Sequence, residues 1–307
     1  MKFIKMHGCG NDGVFLDGLE QPRVLAMTEG EGFGAFVRRV CDRHVGIGAD
    51  FVVVMSEASG REAIVGRATA RMRIFNSDGG EAQMCSTGVR GVAKLLLEER
   101  ISGDVVRILT GRGVIEVRAR RGKGGFIDAA TVSMGEPILA PERIPTKLNA
   151  GGRALRVALP EELSLVVERY ASGADVEGFA SCASMGNPHV VVWCGNAGAV
   201  ELEKVGPVFE SHPVFPERVN AHFVQVVSKS EVIARHWERG AGATLACGTG
   251  SSAIVVAGVL TGRLEKRVKV RVPGGVFDIE WERVGEEGGQ VVLTGGIDEV
   301  FRGEVEE

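Results

Sequence analysis

Two cysteines stand in matching surroundings, and their spacing from the residues that follow suggests chemistry. Cys85 begins the run "CSTGVRGVAKLLLEER" and Cys247 begins "CGTGSSAIVVAGVLTG", so the same Cys-x-Thr-Gly start precedes a helical pattern twice. The start of a helix leaves unpaired backbone N–H groups and a partial positive charge, which suits an anion and lowers the pKa of a nearby thiol. We therefore expect thiolate to be available at both positions near neutral pH.

Two thiols facing one substrate could perform a reaction that one thiol cannot. A thiolate can take a proton from one face of a carbon next to a carboxylate, and a thiol can return a proton to the opposite face. The N–H groups of the helix starts would hold the carboxylate and stabilise the enolate-like transition state. The pattern favours general acid–base catalysis that inverts a stereocentre, because nucleophilic cysteine chemistry needs only one thiol.

Other roles for the cysteines have to be weighed against this one. A cysteine at a helix start is often only a packing residue, and the pair could also form a redox-labile disulfide or bind a metal. The sequence has no C-x-x-C pair and its six histidines are scattered, so we expect no metal site. It also lacks a Walker motif and a strand followed by G-x-G-x-x-G, so we expect no nucleotide and no other cofactor. The other four cysteines, which we expect to be core thiols, are Cys9, Cys41, Cys182 and Cys194.

Composition narrows the class of protein. Among 307 residues, 44% are hydrophobic and 25% are charged, which are globular values that argue against disorder. A net charge of −4 gives no basic surface for nucleic acid or an anionic membrane. The sequence shows neither an apolar signal segment nor an apolar run of membrane-spanning length. We expect a cytoplasmic protein that binds a small-molecule substrate, with no nucleic-acid or membrane partner.

Short strand-like segments dominate the pattern, which predicts an α+β fold rich in sheet. Helices are predicted after each of the two paired cysteines and near 31–43 and 199–209. The predicted strands are 51–55, 70–75, 105–110, 114–119, 189–193, 223–227, 268–272, 277–281 and 290–294.

The order of these elements in the first half of the chain recurs in the second half. Gly10-Asn11 and Gly186-Asn187 occupy corresponding places, each ahead of a strand and a helix, and each half carries one of the paired cysteines. The period is far too long for a solenoid. We expect two similar, pseudo-symmetric domains, with an active-site cleft between them if they face each other.

Seven segments resemble diaminopimelate epimerase, in the family's order and over nearly the whole chain. They are "KMHGCGNDGVFLD", "DRHVGIGADFVVV", "RIFNSDGGEAQMCSTGVR", "SMGNPHVVV", "PERVNAHFVQVV", "WERGAGATLACGTGSSA" and "VPGG". The resemblance implies an epimerase that uses two thiols and no pyridoxal phosphate. Its substrates would be LL- and meso-diaminopimelate, which serve lysine and peptidoglycan precursor biosynthesis. A homodimer stays open as its assembly.

The resemblance also implies an architecture. Each domain would be a curved, mostly antiparallel sheet around a central helix. The N-terminal domain would span 1–130 and be completed by the last strand, about 292–307, and the C-terminal domain would span 131–291.

Site residues follow from the resemblance, position by position. Cys85 and Cys247 match the two catalytic cysteines, and His189 matches a histidine close to the thiols. Backbone donors for the reacting carboxylate would come from Ser86, Thr87, Gly248 and Thr249. The residues that match substrate-recognition positions are Asn11, Asn76, Asn187, Asn220, Glu238 and Arg239. Their chemistry suits the distal end of the substrate, because an arginine can pair with a carboxylate and a glutamate can hold an ammonium group.

Three departures from the family pattern bear on the substrate. The family usually has Cys-Gly-Asn-Gly at the first cysteine, where this chain has Ser86-Thr87 in the middle. Ala243 replaces a glutamate, and Gly13 stands where an aromatic residue is usual. A racemase of the same family that acts on another amino acid, such as a basic or imidazole one, is therefore the alternative. A binding or structural protein of this fold without activity is the third hypothesis.

Overall fold

The computed structural model describes residues 1–282 and 288–306. The chain divides into two compact units, which we call unit 1 (Met1–Ser133 and Thr294–Glu307) and unit 2 (Met134–Leu293). Whether these units are domains with the predicted bounds stays a prediction. Among the residues described, no helix is both long enough and apolar enough to cross a membrane.

The first part of the chain alternates strands with four helices. Its helices are α1 (Pro22–Thr28), α2 (Phe33–Cys41), α3 (Gly60–Val65) and α4 (Ser86–Glu99). Its strands are β1 (Lys2–Gly8), β2 (Asn11–Asp17), β3 (Phe51–Ser56), β4 (Ala70–Asn76), β5 (Glu81–Ala82), β6 (Val105–Thr110), β7 (Gly113–Arg121) and β8 (Ile127–Gly135).

The rest of the chain builds unit 2 and then returns to unit 1. Its helices are α5 (Glu161–Tyr170), α6 (Leu202–Ser211) and α7 (Gly248–Leu260). Its strands are β9 (Val157–Ala158), β10 (Val176–Ser184), β11 (Pro188–Cys194), β12 (Asn220–Ser228), β13 (Glu231–Glu238), β14 (Gly242–Thr244), β15 (Arg267–Val272), β16 (Gly275–Trp281), β17 (Val291–Gly296) and β18 (Asp298–Glu304). Strand β18 pairs antiparallel with β1 inside unit 1.

The two units share one pattern of strand pairing. In unit 1, β1–β2, β3–β4, β4–β5 and β6–β7 are antiparallel, whereas β2–β3 and β4–β6 are parallel. In unit 2, β10–β11, β12–β13, β13–β14 and β15–β16 are antiparallel, whereas β11–β12 and β13–β15 are parallel. The α+β fold with mostly antiparallel sheet is therefore confirmed, and α4 and α7 occupy corresponding places in the two patterns.

Glycines let the two central helices lie close to their sheets. A Cβ at Gly91 in α4 would stand 2.4 Å from the Phe15 ring on β2, and a Cβ at Gly250 in α7 would stand 2.4 Å from Cε1 of His222 on β12. Helix α7 is apolar on every side, as expected for a helix enclosed by its own unit. Because the helices pack so closely, the first turn of each helix and the cysteine that precedes it lie at the ends of the strands.

A tight hairpin at the start of the chain sets the position of Asn11. Cys9 and Gly10 connect β1 to β2, and both have positive φ, 54° and 80°. Two successive left-handed residues form a type I′ turn, whose twist matches that of a hairpin. The turn closes on the pair Gly8–Asn11, so Asn11 becomes the first residue of β2.

The sequence predicted most elements and missed one sizeable helix. Each predicted strand overlaps an observed one, α2 lies within the predicted helical region 31–43, and α6 overlaps the predicted region 199–209 and ends two residues beyond it. Helix α5 was missed, although its first turn carries Glu161 and Glu162 after Pro160, and its buried Leu163 and Val167 are four residues apart. Those are ordinary signals of a helix start and of a helix face.

We predict that Gly91→Ala destabilises the fold. In a helix interior, alanine is normally more stabilising than glycine by about 1 kcal/mol. Here the added methyl meets an aromatic ring on a buried strand, so the free energy of unfolding should fall by about 1–3 kcal/mol. Urea unfolding measures this change. Gly178→Ala is the control, because Gly178 is exposed and a Cβ there meets nothing within 4 Å. Equal unfolding midpoints for the two variants would contradict the packing argument.

Candidate active site

Cys85 is the residue before α4, and its thiol lies beside Asn11. The backbone of Cys85 is extended, as is usual for the residue before a helix, and the residue is partly buried. Its Sγ lies 3.8 Å from Asn11 Oδ1, and Asn11 Nδ2 lies 3.5 Å from Asp50 Oδ2. The hairpin turn and the carboxylate of Asp50 therefore hold the asparagine against the thiol.

Arg90 is a buried residue of this site that the sequence analysis missed. Its guanidinium is fully buried and donates to the carbonyls of Ser86 and Gly296 and to Thr87 Oγ1, at 3.0, 2.7 and 3.1 Å. The signal was a charged residue on the buried side of the helix that follows Cys85. The side chain fits because Gly8 has no Cβ, which would stand 2.9 Å from Arg90 Nη2.

The position of Arg90 matters for the charge of Cys85. Burial lowers the pKa of Arg90, whereas negative charges at Cys9 and, to a smaller extent, at Cys85 raise it. Because Coulomb attraction is mutual, a guanidinium that is stabilised by a thiolate also stabilises that thiolate. Arg90 thus favours the thiolate of Cys85.

Cys247 is the corresponding residue before α7, and its surroundings have the opposite effect. The residue is only 4% exposed. Its Sγ accepts the N–H of Gly250 at 3.3 Å and lies 3.5 Å from Thr249 Oγ1. Burial, followed by the negative charge of Glu238, raises the pKa of Cys247 well above its usual value, although Thr249 and Gly250 lower it. The expectation that a helix start frees a thiolate is therefore wrong for Cys247, because desolvation outweighs the two donors.

Glu238 stands at the end of β13, against the second thiol. Its Oε1 accepts the hydroxyl of Thr244 at 2.6 Å, and the carboxylate is hydrogen-bonded with Cys247. The family resemblance predicts that Glu238 can hold the ammonium group of a substrate. Its carboxylate also contacts Thr244 and Cys247, and it disfavours charge on the Cys247 sulfur.

Asn220 and Arg239 hold each other in place. The amide oxygen of Asn220 accepts the backbone N–H of Arg239 at 2.9 Å, and its Nδ2 donates to the carbonyl of Pro188 at 2.7 Å. One guanidinium nitrogen of Arg239 donates to the carbonyl of Glu217 at 2.8 Å. Asn220 therefore positions the start of the loop after β13, and with it the arginine.

Asn187 links His189 to the start of α7. His189 Nε2 lies 2.9 Å from Asn187 Oδ1, and Asn187 Nδ2 lies 3.5 Å from Thr249 Oγ1. Burial lowers the pKa of His189 to about 3, assisted by His236 and Arg239. His189 is therefore neutral near pH 7 and reaches the Cys247 thiol only through two other side chains.

The remaining predicted residues have simpler settings. Asn76 is exposed at the end of β4, and its backbone closes a turn with Gly79 and Gly80. Ser86 and Thr87 are buried, whereas Gly248 and Thr249 are partly exposed. Among residues 1–282 and 288–306, no group of three or more His, Cys, Asp and Glu side chains is arranged to hold a metal ion.

Two of the three departures from the family pattern, at Gly13 and at Thr87, are buried residues of unit 1. Gly13 is paired with Phe51 on β3, and a Cβ at Gly13 would stand 2.0 Å from the Phe51 ring, so this ring fills the space beside Gly13. The hydroxyl of Thr87 accepts from Arg90, and Thr87 is only 3% exposed. Ala243, by contrast, is exposed on β14.

Solved structures share this fold. A PhzF-family phenazine biosynthesis protein from Bacillus anthracis matches with a TM-score of 0.68 and 16% identity, covering 100% of this chain and 99% of its own. A probable proline racemase from Agrobacterium radiobacter matches with a TM-score of 0.64 and 16% identity, covering 99% and 92%. At such identities the likeness shows the fold alone.

Sequence relatives narrow the class to one family. The family model of diaminopimelate epimerase matches residues 3–140 and 181–299. The diaminopimelate epimerase of Acetivibrio thermocellus is 39% identical, covering 100% of this chain and 99% of its own, and that of Trichodesmium erythraeum is 41% identical, covering 98% of each. The chain belongs to the diaminopimelate epimerase family, as its motifs predicted.

We predict that Arg90 controls the reactivity of Cys85. In Arg90→Met the alkylation of Cys85 by iodoacetamide at pH 7 should slow severalfold, because the thiolate loses a buried cation. Arg90→Lys, which keeps the charge, should retain more of the rate. Peptide-resolved mass spectrometry measures alkylation on protein shown by circular dichroism to be folded. Arg107→Met is the control, since Arg107 is an exposed residue paired with Glu116. Equal rates in wild type and Arg90→Met would refute the charge argument.

Proposed function

We propose that this protein interconverts LL- and meso-diaminopimelate by proton transfer to and from two thiols, without a cofactor. The observation that carries the proposal is the repeated placement of a thiol directly before each central helix, at Cys85 and Cys247. Family membership supplies the substrate, which is the one named for the curated relatives. The product would serve lysine and peptidoglycan precursor biosynthesis. Thiol chemistry suits the reducing cytoplasm, where we propose that the protein acts.

The unlike surroundings of the thiols support a division of labour. In one direction the thiolate of Cys85, favoured by Arg90, removes the α-proton of the substrate. The thiol of Cys247, which burial and Glu238 keep protonated, delivers its proton to the opposite face. The reaction leaves Cys85 as a thiol and Cys247 as a thiolate, the state from which the reverse direction starts. Thr249 and the N–H of Gly250 then stabilise the Cys247 thiolate.

Substrate recognition is proposed to use the polar groups around both thiols. Backbone N–H groups of the two helix starts, at Ser86, Thr87, Gly248 and Thr249, would bind the reacting carboxylate. Asn11, Asn76, Asn187, Asn220, Glu238 and Arg239 would recognise the rest of the molecule. Arg239 is the group for the distal carboxylate, because a guanidinium has five donors and the carbonyl of Glu217 occupies one nitrogen.

The two buried departures from the family pattern, at Thr87 and Gly13, are compatible with diaminopimelate as the substrate and give no reason to prefer another amino acid. The side chain of Thr87 is turned towards Arg90, and the space beside Gly13 is filled by Phe51. Neither change requires a differently shaped substrate. The alternative, a racemase for a basic or imidazole amino acid, would have no use for a guanidinium aimed at a second carboxylate.

Both thiols should be required for turnover. Cys85→Ala and Cys247→Ala should each reduce epimerisation of LL-diaminopimelate by at least about 10²–10⁴-fold, the usual contribution of a positioned acid or base. Chromatography that separates the stereoisomers measures the rate. Cys41→Ala is the control, since Cys41 is a buried thiol of α2. Near-wild-type turnover by either of the first two variants would exclude a two-base reaction.

Arg239 should decide between the two substrate classes. Leaving a buried carboxylate without its partner costs about 3–5 kcal/mol, so Arg239→Ala should reduce kcat/KM for diaminopimelate by roughly a hundredfold to several thousandfold. Arg239→Lys should also lose most activity, because an ammonium group cannot replace a planar two-pronged donor.

Arg235→Ala is the matched control for Arg239. Arg235 lies on β13, the strand that ends just before Arg239, and likewise donates to a backbone carbonyl, that of Val200. Its loss should leave kcat/KM for diaminopimelate within a few-fold of wild type. The alternative, a racemase for a basic or imidazole amino acid, is correct if the wild-type protein does not epimerise diaminopimelate but racemises lysine or histidine, and if the Arg239→Ala variant keeps that activity.

A further inference from the structure

Three histidines form a continuous buried chain in unit 2 that the proposed reaction does not use. His189 Nδ1 lies 2.9 Å from His222 Nε2, and His222 Nδ1 lies 2.8 Å from His236 Nδ1. His236 Nε2 lies 3.4 Å from the hydroxyl of Ser251, in the first turns of α7. All four residues are fully buried. The chain therefore runs from the strands back to the helix that Cys247 precedes.

The imidazoles of this chain are neutral. Burial lowers the pKa of His236 to about 3 and that of His222 well below its usual value, as it does for His189. A neutral imidazole has one N–H donor and one acceptor nitrogen. Each hydrogen bond in the chain therefore dictates the tautomer of the next ring.

The orientation of the Asn187 amide reveals the direction of the hydrogen bonds in the chain. Its Oδ1 can only accept, so His189 Nε2 carries the hydrogen and His189 Nδ1 accepts. The donor to His189 is then His222 Nε2–H, and the donor to His222 Nδ1 is His236 Nδ1–H. His236 Nε2 is left to accept the hydroxyl hydrogen of Ser251. All four hydrogen bonds point the same way, from Ser251 to Asn187.

The direction of the chain has a consequence at Cys247. With Oδ1 held by His189, the Nδ2 of Asn187 faces the oxygen of Thr249. An oxygen that accepts this N–H can direct its own hydrogen to Cys247 Sγ, 3.5 Å away. In the reverse direction the amide would be flipped, and Asn187 Oδ1 would draw the hydroxyl hydrogen away from the sulfur.

Burying three imidazoles would be a poor solution to packing alone. Apolar side chains would fill the same volume without the desolvation cost of six ring nitrogens. The hydrogen bonds of a buried polar network offset the desolvation cost only when each polar group has a hydrogen-bond partner and orients the next group. The close approach of Gly250 to the His222 ring also keeps the chain against the helix that starts at the thiol.

We propose that His222 and His236 are positioning residues for the epimerase reaction. Together with His189 they hold the amide of Asn187 in the one orientation that makes the Thr249 hydroxyl a donor to the Cys247 thiolate. The proposal rests on the proposed role of Cys247 as a reacting thiol, but the tautomers that it requires do not depend on that role.

Nitrogen NMR on protein labelled with ¹⁵N-histidine tests the tautomers directly. We expect Nε2–H on His189 and His222 and Nδ1–H on His236, with no change between pH 6 and 9. Single histidine-to-glutamine variants assign the signals. The reverse set, Nδ1–H on His189 and His222 with Nε2–H on His236, would overturn the proposal, as would titration of any of the three in this range.

Kinetics tests the consequence for the thiol. His222→Leu can neither donate nor accept, so kcat should fall about tenfold, as for the loss of one hydrogen bond, with KM changed less than twofold. In the direction in which Cys247 is the base, the acid limb of the kcat/KM profile should move to higher pH, because the thiolate loses the Thr249 hydroxyl as a donor while Glu238 still opposes its charge. His222→Gln, which can donate to His189 and accept from His236, should recover most of both effects.

A separate control distinguishes positioning from packing. Cys182→Val changes a buried residue of β10, the strand beside β11, and should leave the pH profile in place. If His222→Leu lowers only thermal stability and keeps the wild-type pH profile, the chain is structural and the proposal fails. If the protein does not epimerise diaminopimelate at all, the alkylation rate of Cys247 replaces kcat, and an unchanged rate in His222→Leu would likewise overturn the proposal.

Discussion

Close approach between a central helix and its sheet is the constraint on which the candidate site depends. Gly91 and Gly250 bring α4 and α7 against side chains of the strands, Phe15 in one unit and His222 in the other. The residue before each helix is carried with it to the strand ends, where Asn11 and Glu238 lie. At Cys247 desolvation therefore has the larger influence on the charge of the sulfur, and the N–H donors of the helix start have the weaker one.

The same scaffold, used twice, surrounds its two thiols with opposite charges. In unit 1 a buried guanidinium, Arg90, sits near Cys85, and in unit 2 a carboxylate, Glu238, sits near Cys247. Two identical sites would hold two thiolates or two thiols, and neither state can both remove and deliver a proton. An unlike pair is what the proposed reaction requires at the start of each turnover.

The parts of the fold that the sequence predicted are those encoded by neighbouring residues. Strands such as β6 and β15 follow from short runs of β-branched residues, and the two helices after the cysteines follow from apolar periodicity and glycine-rich starts. The Cys-x-Thr-Gly motif is equally local. Each of these signals lies within a window of about fifteen residues, so no knowledge of strand pairing was needed.

What could not be predicted depends on register between distant segments. Phe51 occupies the space beside Gly13 because β2 and β3 are parallel neighbours, and His222 meets His236 because β12 and β13 pair at that position. The raised pKa of Cys247 likewise reflects burial that only the folded unit creates. A comparison of motifs alone suggests that an aromatic ring is missing at Gly13. In the structure the ring of Phe51, on the adjacent strand β3, fills the space beside Gly13.

Neutral polar groups suit the surroundings of a thiol that must exist in two charge states. A lysine or arginine buried against Cys247 would favour the thiolate so strongly that the thiol could not act as a proton donor. An apolar wall would favour the thiol and make its thiolate inaccessible. A hydroxyl whose hydrogen is directed by an amide and three neutral imidazoles contributes a dipole without a net charge. In the proposed reaction this dipole would stabilise the thiolate enough to form during turnover, and desolvation with Glu238 would return the sulfur to its protonated form.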